Sequence, residues 1–102
     1  MVKFIALYRR PTDPAAFDKV YFDTHVPLVN KIPNLRRVKI SNVTGAPRGE
    51  PEFYRIAEMF FDNKAEMDQA LASPENAEAG KNLMSFARGL VSFMYAEEVD
   101  RP

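Results

Sequence analysis

The sequence contains no cysteine, no tryptophan and a single histidine, His25. Without cysteine there is no disulfide, no thiolate metal site and no cysteine nucleophile. One histidine falls short of the three or four ligands a zinc-type site needs, so no metal is expected, and haem ligation by His25 has no second feature behind it. An excess of one charge is missing too, since fourteen bases face fourteen acids. A chain without a concentrated positive surface cannot grip a phosphate backbone, so nucleic acid is not an expected partner. No apolar run approaches the roughly 20 residues of a membrane span, so no membrane association is expected. The opening "MVKFIALYRRP" has too short an apolar segment for a signal peptide. A cytoplasmic protein is expected, and the "NVT" sequon at Asn42 then carries no weight. No dinucleotide fingerprint occurs, and no cofactor is expected.

What is present reads as one domain, residues 1–102, with enough apolar content (46%) for a single core. "VKFIALY" (Val2 to Tyr8) is a β-capable run. Asp13 before Pro14 is a helix start, an N-cap acid followed by proline at the first helical position. Phe17, Val20, Tyr21, Thr24 and Leu28 then recur at steps of three and four, one stripe of an amphipathic helix. Pro27 removes a backbone donor and disfavours helical geometry at Val26, so a kink or break is expected beside His25.

"LRRVKISNVTG" (Leu35 to Gly45) reads as a second strand and "FYRIAEMFFD" (Phe53 to Asp62) as a third. Between them "TGAPRGEP" lacks the glycine spacing of a phosphate loop and reads as a mobile lid or a plain connector. Asn63 with Glu66 resembles a capping box for a helix through Leu71. Ser73-Pro74 restarts that helix, with Leu83, Phe86 and Leu90 as its apolar stripe. Gly89 ends it, and "LVSFMYAEEV" is a fourth strand. The order β-α-β-β-α-β predicts a ferredoxin-like α+β fold, a four-stranded antiparallel sheet with helices on one face.

Two helices cover only one side of such a sheet, so alternate strand positions should be polar. They are not. Phe53, Arg55, Ala57, Met59 and Phe61 alternate with Tyr54, Ile56, Glu58 and Phe60; both sets are largely apolar, and the first and last strands behave alike. Strand spacing and rise give an open face of roughly 300–400 Å² in projection, about the largest apolar patch a monomer shows. A second copy pressed on it is the expected cover, giving a homodimer closed sheet to sheet. The alternative is a monomer with exposed aromatics. Such a dimer would enclose a small-molecule cavity, expected to be lined by the Tyr54–Ile56–Glu58–Phe60 face while small Ala57 lets a helix approach the other.

Three sets of residues are candidates for chemistry. His25 lies at the margin of its helical stripe, where a ring nitrogen can reach a cleft between helix and sheet. Imidazole suits proton transfer near neutral pH, and the alternative is a hydrogen bond to the carbonyl that Pro27 frees. Glu58 among apolar neighbours would have a raised pKa and could serve as acid or base, or it pairs with Arg37 or Lys39 on a neighbouring strand. Tyr8, Tyr54 and Tyr95 either donate to a bound carbonyl or pack as aromatics with a wet tip.

The pattern Phe17-x3-Tyr21-x3-His25-x-Pro27 followed by "KIPNLRRV" resembles the EthD-like family, named for a component of ethyl tert-butyl ether degradation. "FYRIAEMFFD" and "ASPE" are similar to that family's third strand and Ser-Pro turn, so the likeness spans nearly the whole chain. It implies a dimeric α+β barrel related to antibiotic-biosynthesis monooxygenases, muconolactone isomerases and polyketide cyclases. The oxidoreductase label sometimes given to the family follows from the pathway rather than a mechanism. Where the family often carries an acid in the second helix, this chain has Asn82; if that acid orients the histidine, a strongly basic His25 is not expected. The resulting candidates are His25 and Glu58 for catalysis, and Tyr8, Tyr21, Tyr54, Asn82 and Tyr95 for ligand contact. The leading expectation is an enzyme or accessory protein acting without cofactor on a small, partly apolar metabolite. A dimeric carrier and a monooxygenase-like oxidoreductase are the alternatives.

Overall fold

Three helices start where a short polar side chain accepts from the freed amides of the first turn. Asp13 accepts from the Ala16 amide, Asn63 from Glu66 and Ser73 from Asn76, and Pro14 and Pro74 occupy the first helical positions. The computed structural model describes residues 1–101. In order, the elements are β1 (Val2–Tyr8), α1 (Pro14–Val20), a π-helical turn (Tyr21–His25), α2 (Val26–Val29), β2 (Arg37–Asn42) and β3 (Arg55–Phe61). α3 (Lys64–Leu71), α4 (Pro74–Ala87) and β4 (Val91–Glu97) follow. The strands form one antiparallel sheet in the order β2-β3-β1-β4, the ferredoxin-like α+β arrangement. No helix is long and apolar enough to cross a membrane among the described residues.

The helices cover a single sheet face. Phe4, Ala6 and Tyr8 stand opposite Met59, Ala57 and Arg55 across the β1–β3 ladder, and opposite Tyr95, Phe93 and Val91 across β1–β4. Ala6 and Ala57 are small enough for α1 and α4 to come down on them, and Phe17, Tyr21 and Leu83 pack there. A second cluster joins Val2, Met59 and Phe61 to Val29, Met67 and Ala79. Fully buried Phe61 alone contributes about 2–3 kcal/mol of hydrophobic stabilisation. The opposite face carries Lys3, Ile5, Leu7, Ile56, Glu58, Phe60 and Met94, with no helix over it.

The helix around His25 departs from expectation in a way that matters. It does not break: Val26 keeps helical dihedrals, and the disturbance takes the form of a π-helical turn in which the Val26 amide bonds to the Tyr21 carbonyl five residues back. Widening this turn moves the preceding carbonyls away from the Pro27 ring, so the proline fits without expelling Val26. The widened turn also resets the helical phase. In a regular α-helix, residues four apart drift by about 40° per step, so Phe17, Tyr21, His25 and Val29 would fan across a third of the cylinder. Here all four are buried, while Val20 and Thr24 of the expected stripe face solvent. His25 is therefore not marginal; it lies inside, 5% exposed.

Two backbone positions finish the layout. Asn34 adopts a left-handed conformation (φ 64°), and its side-chain amide donates to the Glu66 carbonyl, fixing the α2–β2 turn against α3. Gly89, at φ 79°, reverses the chain between α4 and β4.

Candidate functional site

The two packing clusters do not close completely on each other. Between the sheet and the helices lies a cavity of about 210 Å³. β1 supplies Phe4, Ala6 and Tyr8; the first helical segment and its sequel supply His25, Val29 and Ile32. Asn76, Ala79, Gly80 and Leu83 of α4 form the facing wall, and Phe93 of β4 stands at the edge. A separate, smaller void of about 20 Å³ also borders His25, bounded by Tyr8, Tyr21 and Met59 among others. That volume accommodates one water molecule.

His25 is anchored through one ring nitrogen. Nδ1–H donates to Oδ1 of Asn82 at 3.2 Å, because an amide oxygen can only accept. This contact fixes the tautomer and leaves Nε2 with its lone pair free for the cavity that the ring lines. Tyr21 and Phe86 pack around the ring at 5.6 and 5.9 Å between centroids. Burial lowers the His25 pKa from its ordinary 6.5, and the Asn82 bond opposes that only in part. The neutral imidazole is thus the resting form near neutral pH. The carbonyl freed by Pro27 is not its partner.

Tyr8 shares the cavity wall with His25 and is 1% exposed. Burial, reinforced by neighbouring Tyr21, pushes its phenol far above the ordinary range. Tyr8 therefore stays protonated and can only donate to, or accept from, a ligand as a neutral hydroxyl. Tyr21 is raised for the same first reason, burial. Edge-to-face contacts of Tyr8 with Tyr21 (5.3 Å) and Phe17 (6.0 Å) hold both rings in place, at about 1 kcal/mol each.

The other candidates stand elsewhere. Glu58 lies on the helix-free face, with Lys3 at 3.0 Å, so the sheet separates it from His25. Its partner is neither Arg37 nor Lys39 but the diagonal neighbour on β1. No carboxylate of the described residues lines the His25 cavity, which lies on the helix side and is distinct from any space a second copy would enclose against the Tyr54–Glu58 face. Tyr54 precedes β3 and escapes its alternation; its hydroxyl donates to Asp18 of α1 at 3.0 Å, on the helix side. Tyr95 is 70% exposed at the β4 edge and borders a separate shallow depression with Lys64 and Met67. Asn82 acts through His25 rather than lining the cavity.

Sequence reasoning passed over Arg55. This side chain is 1% exposed, its Nη2 lies 2.9 Å from Asp18 Oδ1, and Nε and Nη2 donate to Asn42 Oδ1. Tyr21 and Phe22 flank the guanidinium at 4.7 Å each. Arg55 ties α1 to β3 and so fixes the start of the π-helical turn; an arginine inside an otherwise apolar strand set was the available signal.

Comparison with known proteins places this geometry. The family model described as the EthD domain matches residues 9–88. The chain belongs to the EthD family. An EthD family protein from Bacillus halodurans C-125 is 45% identical, covers 97% of this chain and 99% of its own, and superposes with a TM-score of 0.93. An uncharacterised 11.0 kDa protein from the thcB-thcC intergenic region of Rhodococcus erythropolis is 38% identical, covering 96% of this chain and 95% of itself. At 17% identity, hydroxynitrile lyase from Passiflora edulis shares the fold (TM-score 0.76), covering 98% of this chain and 94% of its own. Other ferredoxin-like proteins of this fold, at 20% identity or below, are described as dimeric.

Proposed function

We propose that this EthD-family protein acts on a small, largely apolar compound held in the helix-side cavity, with His25 taking and returning a proton. One observation carries the reading: a buried imidazole, kept neutral by desolvation and fixed in one tautomer by Asn82, forms part of a cavity wall. A base whose conjugate acid is shifted below its ordinary 6.5 is unprotonated when substrate arrives and can accept its proton. Such a positioned base typically contributes about 10²–10⁴-fold in rate. Tyr8, held neutral, lines the same wall and donates to the oxygen on which charge develops by giving up its hydrogen bond to Tyr21. The fold is compatible with enzymatic use, as the hydroxynitrile lyase of Passiflora edulis illustrates.

A second copy covers the open sheet face in this reading. Ile5, Leu7, Ile56 and exposed Met94 lie there around the half-buried Lys3–Glu58 pair. The dimer supports the sheet from behind and leaves each helix-side cavity to its own protomer.

The test is hydrogen–deuterium exchange from solvent into a panel of small ketones, cyanohydrins and phenols, with wild type and His25→Gln compared. Exchange in wild type that disappears in the variant supports proton transfer; equal exchange in both removes it. A carrier without catalysis is the second reading, favoured by Asn82, whose amide stabilises an imidazolium far less than a carboxylate would. It predicts ligand recovered unaltered, with affinity constant across the His25 titration.

A further inference from the structure

α4 has a glycine near its middle, Gly80, where glycine is the poorest helix former after proline. Two reasons usually explain such a residue: a left-handed backbone, or an atom too close to admit a methyl group. Neither holds. The Gly80 backbone is not left-handed, and a Cβ built there meets no atom within 4 Å. Asn76, Ala79, Gly80 and Leu83 follow the i, i+3, i+4, i+7 spacing of one helix face, and all four line the His25 cavity. What the missing side chain leaves is space in that cavity.

The remaining wall says what the space suits. Phe4 and Phe93 lie nearly parallel (9°) with centroids 5.2 Å apart, a flat aromatic boundary. No lysine, arginine, aspartate or glutamate lines the cavity, so an ionised ligand would lose its hydration without gaining a counter-charge. Dry cavities of about 150 Å³ hold benzene, so this one, at about 210 Å³, has room for a single ring with a short substituent.

We infer that Gly80 is the size gauge of this site, reserving room for one uncharged ring beside His25. The inference rests on the helix-side cavity being the ligand site, but not on proton transfer occurring there.

Calorimetric binding of phenol, 4-ethylphenol and benzoate at neutral pH to wild type, Gly80→Ala and Gly80→Leu tests it. Wild type binds both phenols, and benzoate at least about tenfold more weakly than phenol. Gly80→Leu fills the cavity and weakens phenol binding by about tenfold or more, within the range that pocket methylenes command. Gly80→Ala raises Tm by removing the helix penalty, and weakens 4-ethylphenol more than phenol. The inference is overturned if Gly80→Leu binds phenol as wild type does, if benzoate matches phenol, or if wild type binds neither phenol. Should the leucine variant not fold, the ratio of the two phenols in Gly80→Ala decides. The two readings fail separately: lost size selection leaves proton exchange at His25 untouched, and a His25 variant without effect on exchange leaves the gauge standing.

Discussion

Replacing Asn82 with aspartate changes one atom type at the contact that sets His25's charge state. The amide oxygen now lies 3.2 Å from Nδ1. A full negative charge at that distance, at an effective dielectric of about 20, favours the imidazolium by up to about 5 kcal/mol, or roughly 4 pH units. Asn82 is only partly buried, and partial hydration of the carboxylate reduces this to about 1–3 pH units. In wild type the pKa lies below 6.5, with burial the largest cause. The variant's should lie above the wild type's, so a larger share of the histidine is charged at any given pH. Because the chain has one histidine, a single set of imidazole resonances followed by NMR against pH reads the result without assignment.

Stability follows with opposite signs. In wild type the unfolded chain takes up the proton first as pH falls below 6.5. Stability is therefore full above that pH and is lost as pH falls toward the folded pKa. Where Asn82→Asp lifts the folded pKa past 6.5, the contribution is present below 6.5 and is lost as pH rises through the new folded pKa. An unmoved or lowered titration in Asn82→Asp would refute the tautomer assignment and the role given to Asn82.

Other predictions address the scaffold. Asp18→Ala strands the Arg55 guanidinium, 1% exposed, and should cost about 2–4 kcal/mol in urea denaturation, discounted because Asp18 itself is a third exposed. Ser73→Ala removes the N-cap of α4 and should cost about 1 kcal/mol, read as a lowered urea midpoint with unchanged slope. Leu7→Arg on the open sheet face should convert a dimer to monomers in sedimentation velocity while leaving the helix-side cavity intact; a wild type already monomeric would remove the dimer.

How much of this the sequence disclosed depends on how local the cause is. Asp13, Asn63 and Ser73 act within one helical turn, and each caps where its spacing indicated. Ala57 marked the face that admits a helix, because a small residue between large ones has few other uses in a strand. The phase of the first helix was not legible. Pro27 announces a disturbance, but whether the chain breaks or widens depends on the packing of Phe17, Tyr21 and Val29 against the sheet. A cleft between helix and sheet beside His25 was foreseen, but its walls were not. Alternation names two faces, yet the stand-off of α4 follows from Phe4, Phe93 and Gly80 meeting across a gap that no local pattern records. Glu58 illustrates register: Lys39 stands directly opposite it, but diagonal Lys3 forms the ion pair.

The central claim is that an uncharged His25 meets a ligand inside the helix-side cavity of each protomer. A crystal structure of the protein bound to phenol tests it most directly. The account predicts density between Phe93 and Leu83, with the ligand oxygen about 2.6–3.2 Å from His25 Nε2 while Asn82 keeps Nδ1. Ligand found instead on the open sheet face beside Glu58, or in the cavity with its oxygen turned away from the imidazole, would contradict it.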